Sequence, residues 1–444
     1  MATPSYKPPS SILILGSGVF GLSTAYSLTE NPIFSETTIT VLDRSPFPSP
    51  DGSSIDTSRI IRPDYKDPAY AALAAQAQNQ WRQQGSDELG GQGRYSESGL
   101  CLVADEGKQG MGYVEASLEN VKVLHKQDGQ VDGVRVLGSK EEIEQFLGAG
   151  GGSGDWGYIN FRSGWADAEA AMIWLRKRAE ATGRISFRLG EVERLATAMD
   201  GRTVHGAICK DGTVITADLT IVATGAWTPK LIDLRGRAQS TGQVLCYLRI
   251  TDEEQERFSK LPVLLNLSNG LFIIPPKDNI LKVARHAYGY SNPVSIPSPS
   301  SPSQTIEISV PRTGVDDPSQ QAPREGVLAC QDFLYAVLPE LKGRQFYNSR
   351  ICWYTDTPKA DFIISYHPQY EGLFMATGGS GHGFKFLPVI GNKIVDCVMG
   401  SCPEEFREKW IWQKDIVDTV VTEDGSRGGQ PGMILEAEFA KSML

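Results

Sequence analysis

The sequence predicts an α/β chain, α+β in overall make-up. A Rossmann-like nucleotide-binding lobe is split along it, and a mainly antiparallel β-sheet lobe is inserted. Three observations carry this reading. Residues 11–44 read strand, glycine turn, helix, strand; a second strand–glycine–helix stretch runs from Leu373 to Met399; and between about 240 and 345 apolar and polar residues alternate, as in half-buried antiparallel strands. The expected nucleotide-binding lobe comprises 10–90, 160–235 and 350–415, the inserted lobe 91–159 and 236–349, and the C-terminal tail 416–444.

Ser11-Ile-Leu-Ile-Leu15 is a short buried-strand run. Gly16-Ser-Gly18-Val-Phe-Gly21 opens a helical segment, and Ile39-Thr-Val-Leu-Asp43 supplies the next strand. Together they make a βαβ unit of about the expected 30 residues. Gly16 permits the tight turn, Gly18 lets the backbone approach a pyrophosphate, and Gly21 lets helix and strand pack closely. The helix start at Val19 and Phe20 offers free N–H groups and a positive dipole end to phosphates. Asp43, followed by Arg44, can accept hydrogen bonds from ribose hydroxyls. The fingerprint alone fits FAD and NAD equally.

Residues 45–58, rich in proline, serine and aspartate, read as an irregular loop, and 68–82 as a helix. Ala166–Thr182 reads as a helix ending at Gly183. Strand-like pieces at Ser186–Leu189 and Val192–Leu195 precede a hairpin around Lys210-Asp-Gly212, and Leu219–Thr224 is an apolar strand running into Gly225. In the inserted lobe, Gly270-Leu-Phe-Ile-Ile and Ile280-Leu-Lys-Val are strands, while the Ser/Pro-rich stretch 291–303 reads as an exposed loop. The last third returns to strand Leu373–Thr377, the cluster Gly378-Gly-Ser-Gly-His-Gly383 and helix Val389–Met399.

Acidic residues (53) outnumber lysine and arginine (43), giving a formal charge of −10. No basic run exists to displace counterions, so nucleic acid is not the expected partner. No apolar stretch approaches the roughly 20 residues that span a bilayer, and the polar N-terminus lacks the apolar region of a signal peptide. Seven cysteines without a CxxC pair or zinc-ligand spacing predict reduced thiols and no metal. A monomeric, intracellular protein is expected. The terminal Ser442-Met443-Leu444 loosely resembles a peroxisomal address, leaving peroxisome and cytoplasm open.

Several side chains stand out as candidates. The second glycine cluster, with Lys385 beyond it, aims a helix start at a further part of the same cofactor, where dipole and lysine would stabilise an anionic ring. Arg59-Ile-Ile-Arg62 offers two guanidinium forks for carboxylates, or a solvated face. Lys282, in an apolar strand, is either inward with a partner or outward on a half-exposed face. His286 and His382 are each either a satisfied hydrogen-bonding residue or a participant. Cys352, among bulky apolar residues, reads by itself as an inert buried thiol.

Together these pieces resemble the sarcosine oxidase family, especially its fructosyl amino acid, pipecolate and saccharopine oxidases, over roughly residues 10–400. The resemblance is carried by Gly16–Gly21, by Gly52-Ser53 leading to Ser58-Arg59-Ile-Ile-Arg62, and by Ile221-Val-Ala-Thr-Gly-Ala-Trp227. Cys352-Trp-Tyr-Thr-Asp-Thr, Asp361-Phe-Ile-Ile, His367-Pro368 and Gly381-His-Gly-Phe-Lys-Phe386 complete it. The resemblance implies an FAD-binding lobe of the glutathione-reductase type and an oxidase of secondary amines. Hydride would pass to flavin N5, the imine would hydrolyse, and dioxygen would become hydrogen peroxide.

It further implies that Cys352 bonds the flavin 8α-methyl through sulfur. Arg62 and Lys385 would grip the substrate carboxylate, with His286 and Phe272 beside it. Arg59 would lie near the flavin, and Lys282 would promote oxygen activation. Ser53, Ser58, Val192, Gly225, Trp227, Gly379, Gly381, Gly383 and Phe384 join the implied cofactor contacts. One departure bears on substrate: where fructosyl amino acid oxidases carry an acid that contacts sugar, this chain has Arg285. A cation there favours a second carboxylate or a cyclic amine, as in saccharopine or pipecolate, over fructosyl amino acids. A fructosyl amino acid oxidase, or an amine oxidase or dehydrogenase of secondary metabolism, is the alternative.

Overall fold

A computed structural model describes residues 6–130 and 132–442 of the chain, Ser442 by its backbone only. Six strands form the first sheet, in the order Ile363–Tyr366, Leu373–Thr377, Leu219–Val222, Ser11–Leu15, Thr38–Asp43 and Ile185–Leu189. All neighbours run parallel except the Ile363–Tyr366 edge. Ile12, Leu13, Ile14 and Leu15 are all buried. An unbroken apolar run is what a parallel strand covered on both faces requires. Strands from residue 11 and residue 377 thus lie in one sheet, and the carboxyl ends of its central strands carry the Gly16, Thr224 and Gly378 turns.

A second, ten-stranded sheet is built around Gln239–Arg249, which pairs antiparallel with Ile280–Arg285 on one side and Asn348–Asp356 on the other. Leu271–Lys277 and Val263–Asn266 extend it, and Leu100–Ala104, Trp156–Asn160 and Val134–Leu137 follow. The pleat sends alternate side chains to opposite faces. Leu281 and Val283 belong to the apolar layer under the helix Arg324–Val337, whereas Ala284 clusters with Leu245, Tyr247 and Cys352 on the other face.

Three expectations need correction. The stretch 291–303 is not a loop: Pro293–Ser298 pairs antiparallel with Ser301–Ser309. Val294 and Ile296 meet Ile306, Ile308 and Val310 in a small apolar cluster, and proline is tolerated because this strand pairs on one side only. The second glycine cluster leads first into a 3-10 turn, Gly383–Phe386, and the helix starts only at Ile390. The segment 416–442 is packed structure: Met433–Ile434 pairs with Tyr290–Ser291, and Gly428 bridges to Ala287. Met443 and Leu444 lie outside the described residues, and with them most of the terminal tripeptide. Among the described residues no helix is long and apolar enough to cross a membrane.

The late helix, Ile390–Val398, anchors the early one, Val19–Glu30. Ser23 Oγ accepts from Gly391 N–H at 2.9 Å and donates to Leu387 O at 2.8 Å. A Cβ on Gly391 would sit 2.1 Å from the Ser23 carbonyl oxygen. Gly391→Ala would gain about 0.8–1 kcal/mol in helix propensity, but the clash outweighs it. We expect a net loss of about 1–3 kcal/mol, read as a lower Tm.

Candidate active site

A long cavity runs along the ends of the first sheet and beneath the second. Its walls are Gly16–Phe20, Asp43-Arg44, Gly52–Ile55, Gly190–Val192, Ala223–Trp227 and, at the far end, Tyr354, Gly379, Gly381, Gly383 and Phe384. Gly16 has φ +99°, and a Cβ there would lie 2.5 Å from Ala223 O; a Cβ on Gly21 would lie 1.9 Å from Gly16 O. Only glycine lets turn, helix and strand come this close. Ser54 Oγ accepts from Val19 N–H at 3.0 Å. Asp43 Oδ2 accepts from Ser17 N–H and Oγ at 2.7 and 2.6 Å, while Oδ1 has only a 3.4 Å approach from Ser45 N–H. One oxygen orders the turn and the other keeps acceptor capacity toward the cavity, where a ligand hydroxyl could donate to it.

Arg44 covers the Trp227 ring at 4.5 Å, walling the end that Val192 also lines. Thr355, in the opposite wall, has a buried hydroxyl without a partner. An extended trench of exposed backbone with a helix start at its middle and an unsatisfied hydroxyl beyond fits a dinucleotide.

The inner face of the second sheet roofs the far end. Lys282 stands opposite Tyr247, Phe272 opposite Ala284, Arg350 opposite Leu245 and Cys352 opposite Gln243. Lys282 Nζ donates to Asp56 Oδ2 at 2.7 Å and to Ser58 O at 2.6 Å, and lies 5.9 Å from the Phe272 ring. Asp56 also accepts from Tyr247 Oη at 2.8 Å, pairs with Arg59, and faces Arg350 at 3.8 Å. Burial alone would raise the Asp56 carboxyl, but Lys282, Arg59 and Arg350 hold it far below the usual carboxylate range. Burial, with lesser repulsion from the Arg59 and Arg350 guanidinium groups, pushes Lys282 down to about 8 against the pull of Asp56. Three cations thus share one carboxylate. Arg59 Nη2 further donates to Ser53 O at 2.9 Å and reaches Cys352 Sγ at 3.6 Å. Ser58 contributes its carbonyl to Lys282 and Arg59.

A second polar corner gathers Arg62, Tyr65, His382 and Lys385. Arg62 is buried, its carbon 5.2 Å over the Tyr65 ring, and its Nη1 has no hydrogen-bond partner. Lys385 Nζ donates to Tyr65 Oη at 2.8 Å and to His382 O at 2.9 Å. Burial, then the nearby Arg62, drives the Lys385 ammonium well below its ordinary value. His382 Nε2 lies 2.8 Å from the Ala360 carbonyl, which can only accept, so Nδ1 accepts the Tyr65 hydroxyl proton at 2.9 Å. Burial and Lys385 keep this imidazole neutral. Asp64, fully buried, takes hydrogen bonds from Tyr158, Asn160 and Ser163 at 2.6 to 3.1 Å and fixes the Arg62–Tyr65 turn.

His286 is also neutral, through burial and then Arg427, whose Nη1 lies 3.0 Å from its Nδ1. Arg427 is wholly buried, paired with Asp356 and bonded to Ser380 O at 2.8 Å, yet its Nε is unsatisfied.

Arg285 is the clear miss. It points to the opposite face from Lys282, binding Glu325 through both nitrogens at 2.7 and 2.9 Å and Tyr290 Oη at 2.8 Å. Three residues separate the two numbers, so the period of 2 sends them apart. Arg285 is a structural ion pair, and the second-carboxylate inference built on it falls. Asp56, Tyr65, Arg350 and Arg427 escaped the sequence reading. Arg350 borders Cys352 on the same face, a periodic signal that was available; Arg427 comes from the presumed tail and carried none.

The chain is 32% identical to an amino acid oxidase (imqH) of Aspergillus flavus, over 88% of this chain and 93% of that protein. It is 29% identical to an L-saccharopine oxidase of Schizosaccharomyces pombe, over 91% and 93%. Among solved structures, a modified fructosyl peptide oxidase from Aspergillus nidulans superposes with a TM-score of 0.84 at 26% identity, covering 97% of this chain and 98% of that one. The family described as FAD dependent oxidoreductase matches residues 11–397, and the chain belongs to that family.

Proposed function

We propose that the protein is an amino acid oxidase that oxidises the C–N bond of an N-substituted or cyclic amino acid. The observation that carries this is the unpaired, buried Nη1 of Arg62 beside Lys385. A buried guanidinium nitrogen without a partner is costly, and a substrate carboxylate is the ligand that satisfies it bidentately. Bound FAD supplies the two-electron acceptor, reoxidised by dioxygen with release of hydrogen peroxide. The protein positions and polarises. Arg62 and Lys385 seat the carboxylate, and Phe272 bounds the space over the ring. The positive charge of Arg62 and Lys385 lowers the proton affinity of the substrate amine, so it reacts neutral without a strong base. Lys282, Arg59 and Arg350, paired by one carboxylate among them, supply a field for charge developing as electrons reach oxygen.

Cys352 is proposed to hold the cofactor by an 8α-S-cysteinyl bond, its sulfur lying 3.6 Å from Arg59 Nη2, whose residue lines the cavity. Saccharopine, pipecolate and N-methyl amino acids are the proposed substrates. A second reading, deglycation of fructosyl amino acids, draws on the whole-chain likeness to fructosyl peptide oxidase. Peroxide release suits a peroxisomal location over a cytoplasmic one.

A peroxide-coupled screen over these amines tests the reading; no peroxide from any amine, with intact flavin, refutes it. Arg62→Met should weaken substrate binding by about 2–5 kcal/mol, at least 30-fold in KM. Arg285→Met should leave KM unchanged and lower stability by about 1–2 kcal/mol, the Glu325 partner being partly exposed. Lys282 is cationic below about pH 8 and neutral above it. Reoxidation of the reduced enzyme should therefore slow as pH rises through about 8, and Lys282→Met should be slow at every pH and lack that inflection. Acid-precipitated protein should stay yellow, and the Cys352→Ser pellet should be colourless.

A further inference from the structure

An amino acid substrate arrives as an ammonium and reacts as a free amine, so one proton must leave it inside the site. The corner around Lys385 holds a group placed to take that proton. Lys385 lies in the 3-10 turn Gly383–Phe386, its carbonyl held by the Trp81 indole N–H at 2.8 Å, and it is 5% exposed. Both partners of Nζ are uncharged, Tyr65 Oη at 2.8 Å and His382 O at 2.9 Å, and among the described residues no ion pair reaches it. Asp64, the carboxylate beside this corner, is taken up by Tyr158, Asn160 and Ser163. Arg62 and Lys385 lie over the same Tyr65 ring, at 5.2 and 5.0 Å. A buried ammonium held by neutral acceptors beside a guanidinium is the costly form, and the neutral amine is the favoured one.

The hydrogen-bond chain fixes what the lysine nitrogen offers. His382 Nε2–H is committed to Ala360 O, so Nδ1 accepts; the Tyr65 hydroxyl proton is committed to Nδ1, so the phenol oxygen can only accept from Lys385. Nζ therefore spends two hydrogens, on Tyr65 and on His382 O. A neutral amine has only those two, and its lone pair takes the remaining tetrahedral corner. An ammonium has a third hydrogen there. The same corner is a base before a proton arrives and a donor to a carboxylate afterwards. Around it, His382 and His286 are neutral, burial keeps Tyr65, Tyr70 and Tyr113 protonated, and Arg62 and Arg427 are permanent cations. Asp424 lies beyond Tyr65 and Tyr113.

We propose that Lys385 is neutral in the free enzyme and takes the proton of the substrate ammonium, so that the charge pairing with the substrate carboxylate is the substrate's own. One N–H bond of the ammonium breaks, its electron pair stays on the amine, and the Nζ lone pair bonds the proton. Net charge is unchanged and nothing is oxidised or reduced. The amine and carboxyl groups branch from one carbon, so a nitrogen seated against the second reaches the first directly or through one water. The new ammonium gains the counterion that the corner lacks, and the amine is left in the form from which hydride departs. The step rests on the proposed oxidase activity; what it adds is the destination of the proton.

The test uses the flavin-loaded full chain and two ligands. One is the best amine of the peroxide screen. The other is the ether acid in which oxygen replaces its nitrogen, tetrahydropyran-2-carboxylate where that amine is pipecolate. The ether acid brings a carboxylate and no proton. Calorimetric titration near neutral pH, in buffers of different protonation enthalpy, should find about one proton taken from solution per bound anion. Lys385→Arg, which carries a permanent charge, and Lys385→Met should bind the anion without uptake, whereas His286→Gln should keep it. With the amine, wild-type kcat/KM should stay level from about pH 7 to 9, while the Lys385→Arg value climbs about tenfold per pH unit, because only amine already deprotonated in solution is then productive. Binding of the ether acid to the wild type without uptake, or uptake that survives both Lys385 substitutions, would overturn the proposal. So would an ether acid that fails to bind an enzyme oxidising the matching amine. Turnover without proton uptake leaves the oxidase activity standing and removes only the role of Lys385; no peroxide from any amine removes both.

Discussion

The Asp56 carboxylate is the point on which both sheets converge. It rises from the loop after the first sheet's second strand and is met by Lys282 and Tyr247 from the second sheet, by Arg350 from the Cys352 strand, and by Arg59 from its own loop. Ions buried this deeply gain little from a single partner, since desolvation offsets most of the attraction. What the cluster secures is placement. Removing the carboxylate would leave three cations facing one another without a counterion, so the loop 53–59 that walls the cavity and the roof above it are held in one relative position. Tyr247 and Ser58 O satisfy the remaining polar sites, as a buried network requires.

This explains a contrast between the whole chain and its centre. The molecule carries a formal charge of −10, yet its interior gathers Arg59, Arg350 and Lys282 in one cluster round Asp56 and Arg62, Lys385 and Arg427 in another round His286. Against these six stand Asp56, Asp64 and Asp356. The bulk charge describes solubility and encounter, whereas the field at the cofactor is set locally. Neutral His286 and His382 add hydrogen-bonding capacity without adding charge.

What the sequence made legible follows from the range of the forces involved. The Gly16–Gly21 cradle could be read because backbone sterics act within a few residues, and Gly16 and Gly21 sit where a side chain would strike a carbonyl. The parallel core could be read because its strands are unbroken apolar runs. Lys282 and Arg285 are distinguishable by strand periodicity, since an odd spacing in one strand sends their side chains to opposite faces. The hairpin 293–309 was hidden by its proline and serine content, because an edge strand tolerates residues that a central strand rejects. Arg427 could not be read at all. Its partners, Asp356, Ser380 and His286, come from three separate stretches, and only the folded chain brings them together.

The placement of Arg59 carries the synthesis one step further. Its Nη1 pairs with Asp56, while Nη2 both donates to Ser53 O and reaches Cys352 Sγ. One planar fork therefore links the charge cluster, the cavity wall and the only cysteine on the roof's inner face among the described residues. A lysine would gather its donors at a single atom and lack the planar spread that meets Asp56 through one nitrogen and Ser53 O and Cys352 Sγ through the other. Substituting lysine at position 59 keeps the net charge but frees either the wall or the sulfur. The cavity wall, the Cys352 sulfur and the Asp56 cluster are then coupled through geometry, and charge conservation alone does not preserve that arrangement.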